Sequence, residues 1–389
     1  MKKIAVVTAT RAEYGLLAPV IRELRKREDK DLHVELVVTG THLSHDYGFT
    51  VTEIREDGIR IDYEIPISVQ SATALDISKN QAETLVKFAM LFSEQKYDAV
   101  ILLGDRYEIL AVAMAACNTQ TPIFHLCGGD TTEGAIDECI RHSVTKMSWL
   151  HFTTNELSRK RVIQLGEAPD RVFNYGSTSI DNIMSIATMT KEQALRSLSL
   201  ADRHYALGTF HPATLGGCDT AGQTQNLLAA IRAYPDIDFI MTKSNADQGG
   251  AVINELLDEA AGRISNLHVF TSLGARRYLS LLRYARFVIG NSSSGIIEAP
   301  AMRIPTVNIG DRQRGRLRAV SVIDCGTDRT SIINSIKEAM SDEMKRRCKD
   351  VVSPYGDGHS ASRIAEKSIE TIQCGIDLRK KFYDMEAAL

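Results

Sequence analysis

The stretch Gly290-Asn291-Ser292-Ser293-Ser294-Gly295 follows the apolar run Phe287-Val288-Ile289 and precedes Ile296-Ile297-Glu298. An apolar run, a small-residue turn and helix-compatible residues read as a strand running into a helix. The serines then sit at a helix N-terminus, where unpaired N–H groups and the positive end of the helix dipole gather. The hydroxyls of Ser292, Ser293 and Ser294, with Gly295 permitting close approach, form a cradle for a phosphate or diphosphate. Glu298, one turn further on, suits ribose hydroxyls and not a phosphate. The ordinary alternative is an N-cap with no ligand at all.

Acids suited to proton transfer lie in the other half of the chain. Asp105, in Gly104-Asp105-Arg106-Tyr107-Glu108, directly follows a buried-type strand; its alternative is a helix cap. The stretch from His125 to His142 gathers Asp130, Glu133, Asp137, Glu138 and Arg141 around the Gly128-Gly129 turn. Asp137 and Arg141 are four apart, as are Glu138 and His142, so each pair shares a helix face. Such pairing explains part of the pattern, but this many charges at a strand end call for water or a polar ligand. A metal site is disfavoured because no metal-ligand spacing recurs. Further contacts are Arg11 in the first turn, His211 at a strand end as proton carrier or phosphate contact, and Lys243 with Asn245 and Asp247. Arg312, Arg314 and Arg316 stand beside the serine turn and favour a diphosphate. The first turn, Thr8 to Gly15, has no G-x-G-x-x-G, which disfavours a nicotinamide dinucleotide.

Positioning these residues requires strand ends. Strand-like runs at 4–8, 34–39, 99–103, 122–126 and 150–154 alternate with helical patterns at 16–27, 73–93, 108–116, 135–147 and 156–165. A second alternation follows, with strands at 205–210, 239–242, 267–271, 287–289 and 306–309 and helices at 223–233, 251–261 and 276–284. This predicts an α/β protein of two Rossmann-like domains facing across a cleft, with ligands beyond the carboxyl ends of parallel strands. The expected divisions are 1–176, a crossing at 177–203, a second domain at 204–359, and a helical segment from Ser360 to Tyr383 packing back across the hinge.

Composition narrows the function. At 389 residues, two domains are the prior. A formal charge of −3 gives no basic footprint for nucleic acid or acidic membranes. No uninterrupted apolar segment is long enough to cross a bilayer. Met1-Lys2-Lys3 and the short run after it read as a first strand and not a signal peptide. Seven scattered cysteines without a C-x-x-C pair fit reduced thiols in a cytoplasm.

Seven ordered motifs extend over nearly the whole chain: Thr10 to Gly15, Gly104 to Glu108, Ile140-Arg141-His142-Ser143, Phe210-His211-Pro212, Ser244-Asn245-Ala246-Asp247, Gly290 to Glu298, and Ile309 to Gln313. In these the chain resembles the hydrolysing UDP-N-acetylglucosamine 2-epimerases of bacterial sialic acid pathways. The resemblance implies a glycosyltransferase-B-like fold, UDP held mainly by the C-terminal domain, and the sugar reacting against the N-terminal one. It also implies a homodimer or homotetramer, with no redox cofactor and no obligatory metal. Asp105 and Asp137 match acids acting on the sugar, His211 the Phe-His-Pro histidine, and Glu298 the ribose-binding glutamate. The implied reaction expels UDP, forms 2-acetamidoglucal and adds water to yield N-acetylmannosamine. Many relatives have Glu where this chain has Cys127. Others have His there and Gly-Gly-Glu next, against Gly128-Gly129-Asp130 here, which leaves that acid's work to Asp130 or Glu133. Thr132 to Ala135 also resembles the branch acting on UDP-N,N'-diacetylbacillosamine toward legionaminic acid. A retaining glycosyltransferase of the same fold is the reading from another class.

Overall fold

A strand buried on both faces must send alternate side chains into two different cores, and β1 (Lys2–Thr8) does so. Ile4 and Val6 enter one cluster with the helix Arg11–Arg25, while Ala5 and Val7 enter another with Phe88, Phe92 and Val112. Burying one such side chain stabilises by roughly 1.5–3 kcal/mol for Val or Ile, so a polar residue on either face would be costly.

The computed structural model describes residues 1–70, 73–131, 136–186, 188–212, 219–244 and 250–385. The chain divides into two compact units, Met1–Asn182 with Tyr355–Leu389, and Ile183–Pro354. In the first, β1, β2 (Leu32–Thr39), β3 (Tyr63–Ile65), β4 (Ala99–Leu103), β5 (Ile123–Leu126), β6 (Leu150–Thr153) and β7 (Val172–Asn174) form a parallel sheet in the order β3-β2-β1-β4-β5-β6-β7. The second contains β8 (Tyr205–Thr209), β9 (Asp238–Thr242), β10 (Leu267–Phe270), β11 (Phe287–Gly290), β12 (Thr306–Ile309) and β13 (Val322–Cys325), in the parallel order β10-β9-β8-β11-β12-β13. Strand order reverses between β1 and β4 and between β8 and β11. Ligands of open α/β sheets bind outside the carboxyl ends at such reversals.

Three differences from the expected elements have local causes. The first helix begins at Arg11 and not at Leu16, because Thr10 and Glu13 close a capping box. The last helix spans Ser360–Cys374 and stops well short of Tyr383, with Gly375 at φ +82 just past its end. It packs in the first unit: Ile364, Ala365 and Ile372 share a core with Leu17 and Ile21, and Asp181 accepts from the N–H groups of Ser360 (3.2 Å) and Ala361 (2.8 Å). The strands β3, β7 and β13 are three or four residues long, too short to display a period.

Candidate active site

In the first unit the site is built from the turns after β4 and β5 and the helix Asp137–Met147. Gly104 leaves β4 at φ +97, and its carbonyl faces the Nε2 of the buried His125 at 3.2 Å. A carbonyl only accepts, so Nε2 carries the proton. Burial pushes His125 down to about 3, so the ring is neutral. A side chain at position 128 would press on this ring, since a Cβ there would lie 3.0 Å from His125 Nδ1.

Asp105 meets Arg141, whose side chain is 4% exposed. Nε of Arg141 donates to Asp105 Oδ2 at 3.0 Å and Nη2 donates to the same oxygen. Nη1 reaches the carbonyl of Asp130 (2.7 Å) and Glu138 Oε2 (2.9 Å), while Glu138 Oε1 bonds His142 Nε2 at 3.1 Å. The result is a chain, Asp105–Arg141–Glu138–His142, that holds two half-exposed carboxylates in fixed orientation. Asp137 begins the same helix, and burial together with the charge of Asp105 pushes its carboxyl up. A carboxylate and a more readily protonated carboxyl side by side suit general base and general acid work.

Asp130 Oδ1 is engaged by Thr154 Oγ1 (3.2 Å) and Asn155 Nδ2 (3.4 Å) from the turn after β6 and by Ser158 Oγ from the first turn of the helix Glu156–Gln164. That oxygen anchors a turn. Cys127 sits at φ +65, and burial, with Asp130 and Asp105 adding, pushes its thiol well up, so it stays neutral. Arg11 opens its helix and pairs with Glu53 at 3.0 Å, both groups being exposed. Glu133 lies outside the described residues, as do Asn245 and Asp247.

In the second unit Asn291 is the centre. Its Oδ1 accepts from the N–H of His211 (2.7 Å) and its Nδ2 donates to the carbonyl of His211 (2.9 Å), which clamps the turn after β8 to the turn after β11. The Asn291 carbonyl accepts from Gln313 Nε2 (2.8 Å) and Arg312 Nη1 (3.1 Å). His211 Nδ1 lies 3.1 Å from Ser244 Oγ. One asparagine therefore orders three turns at the strand-order reversal.

The serine turn differs from expectation in two respects. The helix spans Ser294–Ala301, but its first N–H groups are not unpaired: Ser294 N bonds Ser292 Oγ (3.4 Å), Gly295 N bonds the Ser292 carbonyl (3.2 Å), and Ile296 and Ile297 both bond the Ser293 carbonyl (3.0 Å). Gly295 also has a packing reason to lack a side chain, because a Cβ there would lie 2.7 Å from Thr306 Cγ2. Ser293 precedes the helix without a side-chain cap bond, while Ser294 Oγ accepts from Tyr278 at 2.7 Å. Burial, opposed by the Ser294 bond and reinforced by the charge of Glu298, pushes the Tyr278 phenol up. Lys243 turns to Asp258 on the helix Gly250–Ala261, at 2.6 Å.

Sequence reading did not single out Asn291, Gln313 or Tyr278 as site residues. Asn291 reads as a turn residue, and its clamp on His211, 80 positions away, leaves no local trace. Among the described residues no group of three or more His, Cys, Asp or Glu side chains could hold a metal ion, and no helix is long and apolar enough to cross a membrane.

Residues 23–368 match the UDP-N-acetylglucosamine 2-epimerase family. The chain is 38% identical over 390 residues to the Campylobacter jejuni GDP/UDP-N,N'-diacetylbacillosamine 2-epimerase (hydrolyzing), covering 99% of each. It is 34% identical over 364 residues to the UDP-N,N'-diacetylbacillosamine 2-epimerase (hydrolyzing) of Legionella pneumophila, covering 93% of this chain and 94% of the relative. The crystal structure of UDP-GlcNAc 2-epimerase from Neisseria meningitidis bound to UDP-GlcNAc superposes with a TM-score of 0.80 at 20% identity, over 95% of this chain and 100% of that one. The fold is thus glycosyltransferase-B-like.

Proposed function

The chain belongs to the UDP-N-acetylglucosamine 2-epimerase family, and on that premise we propose that it is a hydrolysing 2-epimerase of a UDP-linked 2-acetamido sugar. The reaction consumes water and releases UDP and the free 2-epimeric sugar; with UDP-N-acetylglucosamine the product is N-acetylmannosamine. The observation that carries this reading is the Arg141 bridge, which orients the Asp105 and Glu138 carboxylates beside Asp137, whose carboxyl burial and the charge of Asp105 push up.

The C2 hydrogen of such a sugar has no adjacent carbonyl to acidify it. Departure of UDP makes C1 oxocarbenium-like and C2–H acidic, so a carboxylate takes that proton and leaves a 2-acetamidoglucal. Water then adds its hydroxyl to C1, and a proton reaches C2 from the opposite face. Asp105 and Asp137 are the acid–base groups, with Glu138 and Asp130 supporting them. The hydroxyls of Ser292 and Ser293, with Arg312, receive the charge that develops on the diphosphate. His211 lies beside them, and Glu298 takes the ribose.

A second reading of the substrate has its own support. The Campylobacter jejuni and Legionella pneumophila relatives are named for N,N'-diacetylbacillosamine nucleotides, which favours UDP-N,N'-diacetylbacillosamine as donor. Incubation with each donor in deuterated water, followed by mass spectrometry, decides both points. The true donor releases UDP without an acceptor sugar, and the product carries deuterium at C2. UDP release that requires an acceptor would instead indicate a glycosyltransferase.

A further inference from the structure

Two buried acids at the carboxyl end of the first sheet have no part in the scheme above. Glu13 lies in the first turn of the helix Arg11–Arg25 and Glu108 in the first turn of the helix Tyr107–Asn118, the helices that follow β1 and β4 on either side of the strand-order reversal. Glu13 is 5% exposed and Glu108 fully buried. Glu13 Oε2 accepts from the N–H groups of Ala9 (2.8 Å) and Thr10 (3.2 Å), but its Oε1 is buried with no hydrogen-bond partner among the described residues. Glu108 Oε1 accepts from Arg106 Nε at 3.4 Å, and its Oε2 is likewise buried with no partner among them. Carboxylate oxygens removed from water normally find donors. Among the described residues one is missing on each acid.

The charges around the pair do not supply it. Arg106 is the cation acting on Glu13, and the two acids repel each other. His42, from the turn after β2, bonds Thr8 (3.1 Å) and Thr50 (2.8 Å) and is pushed down to about 4 by burial, so it is neutral. Tyr14 is committed to Asp57, the Tyr107 phenol is pushed up by burial, and Asp105 is held by Arg141. The Glu13 carboxyl also packs against the turn that carries Asp105: a Cβ on Gly104 would lie 3.8 Å from both Cγ and Oε1 of Glu13.

We propose that the Glu13–Glu108 pair holds a single proton, and that this shared proton positions the Gly104–Arg106 turn from which Asp105 projects. With it, the pair carries a single negative charge opposite Arg106. Without it, two carboxylates face one guanidinium and their repulsion displaces the turn. Burial above all, opposed by the Ala9 N–H and reinforced by the charge of Glu108, pushes Glu13 up to about 8. Glu13 and Glu108 are positioning residues, and the part of the idea that concerns turnover rests on the function proposed above.

The sign follows from linkage. A carboxyl whose folded value lies above its ordinary 4.5 contributes stability that is full below 4.5 and is lost as pH rises through about 8. Thermal melting of the full chain across that window should show this loss in the wild type. Glu13→Gln should remove it, and Glu108→Gln should move its midpoint downward. The infrared spectrum of the wild type near neutral pH should contain a protonated-carboxyl stretch that Glu13→Gln deletes and that persists in Glu108→Gln only at lower pH. A wild-type spectrum without that stretch, or a melting slope unaltered by Glu13→Gln, overturns the shared proton. Should Glu13→Gln not fold, the wild-type and Glu108→Gln spectra decide. In turnover, the alkaline limb of kcat/KM should share the melting midpoint and flatten in Glu13→Gln; a limb that stays in place refutes positioning. If neither nucleotide sugar is turned over, the function and the positioning role fall together, and the infrared result still judges the proton by itself.

Discussion

Arg141 grips Asp105 from 36 positions further along the chain, with Nε and Nη2 on one carboxylate oxygen, while its Nη1 holds Glu138. The other oxygen of Asp105 has no part in that grip, so the carboxylate is oriented and still able to take a proton. Arg141→Lys offers a point charge in place of the planar fork and cannot hold both acids. Turnover should fall by at least about 100-fold while UDP affinity stays within about threefold, the loss expected when an acid–base group is misplaced. Single-turnover kinetics and UDP calorimetry check this. The stability loss of Arg141→Met should stay below the roughly 3–5 kcal/mol of a fully buried pair, because both carboxylates retain water contact.

Asn291 and His211 exchange two hydrogen bonds, and Arg312 and Gln313 both bond the Asn291 carbonyl. Asn291→Ala should cost about 1–3 kcal/mol for each buried group left unpaired and weaken UDP binding. Asn291→Asp keeps the acceptor for the His211 N–H but sets a carboxylate oxygen against the buried His211 carbonyl, so it should cost at least as much as Ala. Urea unfolding and a UDP titration check this; an Asp variant equal to wild type in both would refute the clamp.

Gly295 lies against Thr306, whose Oγ1 donates to the Gly295 carbonyl at 2.7 Å. Gly295→Ala should destabilise by about 1–3 kcal/mol through overpacking, and UDP affinity per folded molecule should change little. A stable variant with lost UDP affinity would restore the glycine to the ligand cradle.

Glu167 supplies an acid-side prediction. Burial alone would raise its carboxyl, yet bonds from His151 (3.1 Å), Lys146 (2.6 Å) and Lys380 (2.8 Å) outweigh this and hold it at about 2. A depressed carboxyl contributes stability that is present above its ordinary 4.5 and is lost as pH falls through about 2. Lys380 belongs to the segment after the last helix, where the Asp377 carbonyl also accepts from Trp149 (2.9 Å) and Phe382 lies over Gly166. Truncation after Gly375 should therefore lower the melting temperature at neutral pH and flatten its fall in acid. A truncated chain with the full-length acid profile would count against this clasp.

Much of this was legible in the order of residues alone, for reasons that are local. The runs at Ala99–Leu103 and Thr306–Ile309 match their strands end to end, because a buried parallel strand is a short apolar run bounded by turn residues. Asp105 and the Ser292–Ser294 turn stood out because they follow such runs, and Arg141 because of its four-residue spacing from Asp137. Beyond that reach lay every relationship made through space. Four-residue spacing brought out the Glu138–His142 pair, but nothing local relates Arg141 to Asp105, joins Asn291 to His211, or turns Lys243 toward Asp258. Glu13 was hidden for the same reason: at the third position of a capping box a glutamate needs no further explanation, and only burial beside Glu108 gives it another. Hydrophobic period and turn chemistry act over a few residues and so are written along the chain, whereas which polar atoms lack water and which charges share a turn is decided only when the sheet brings distant strand ends together.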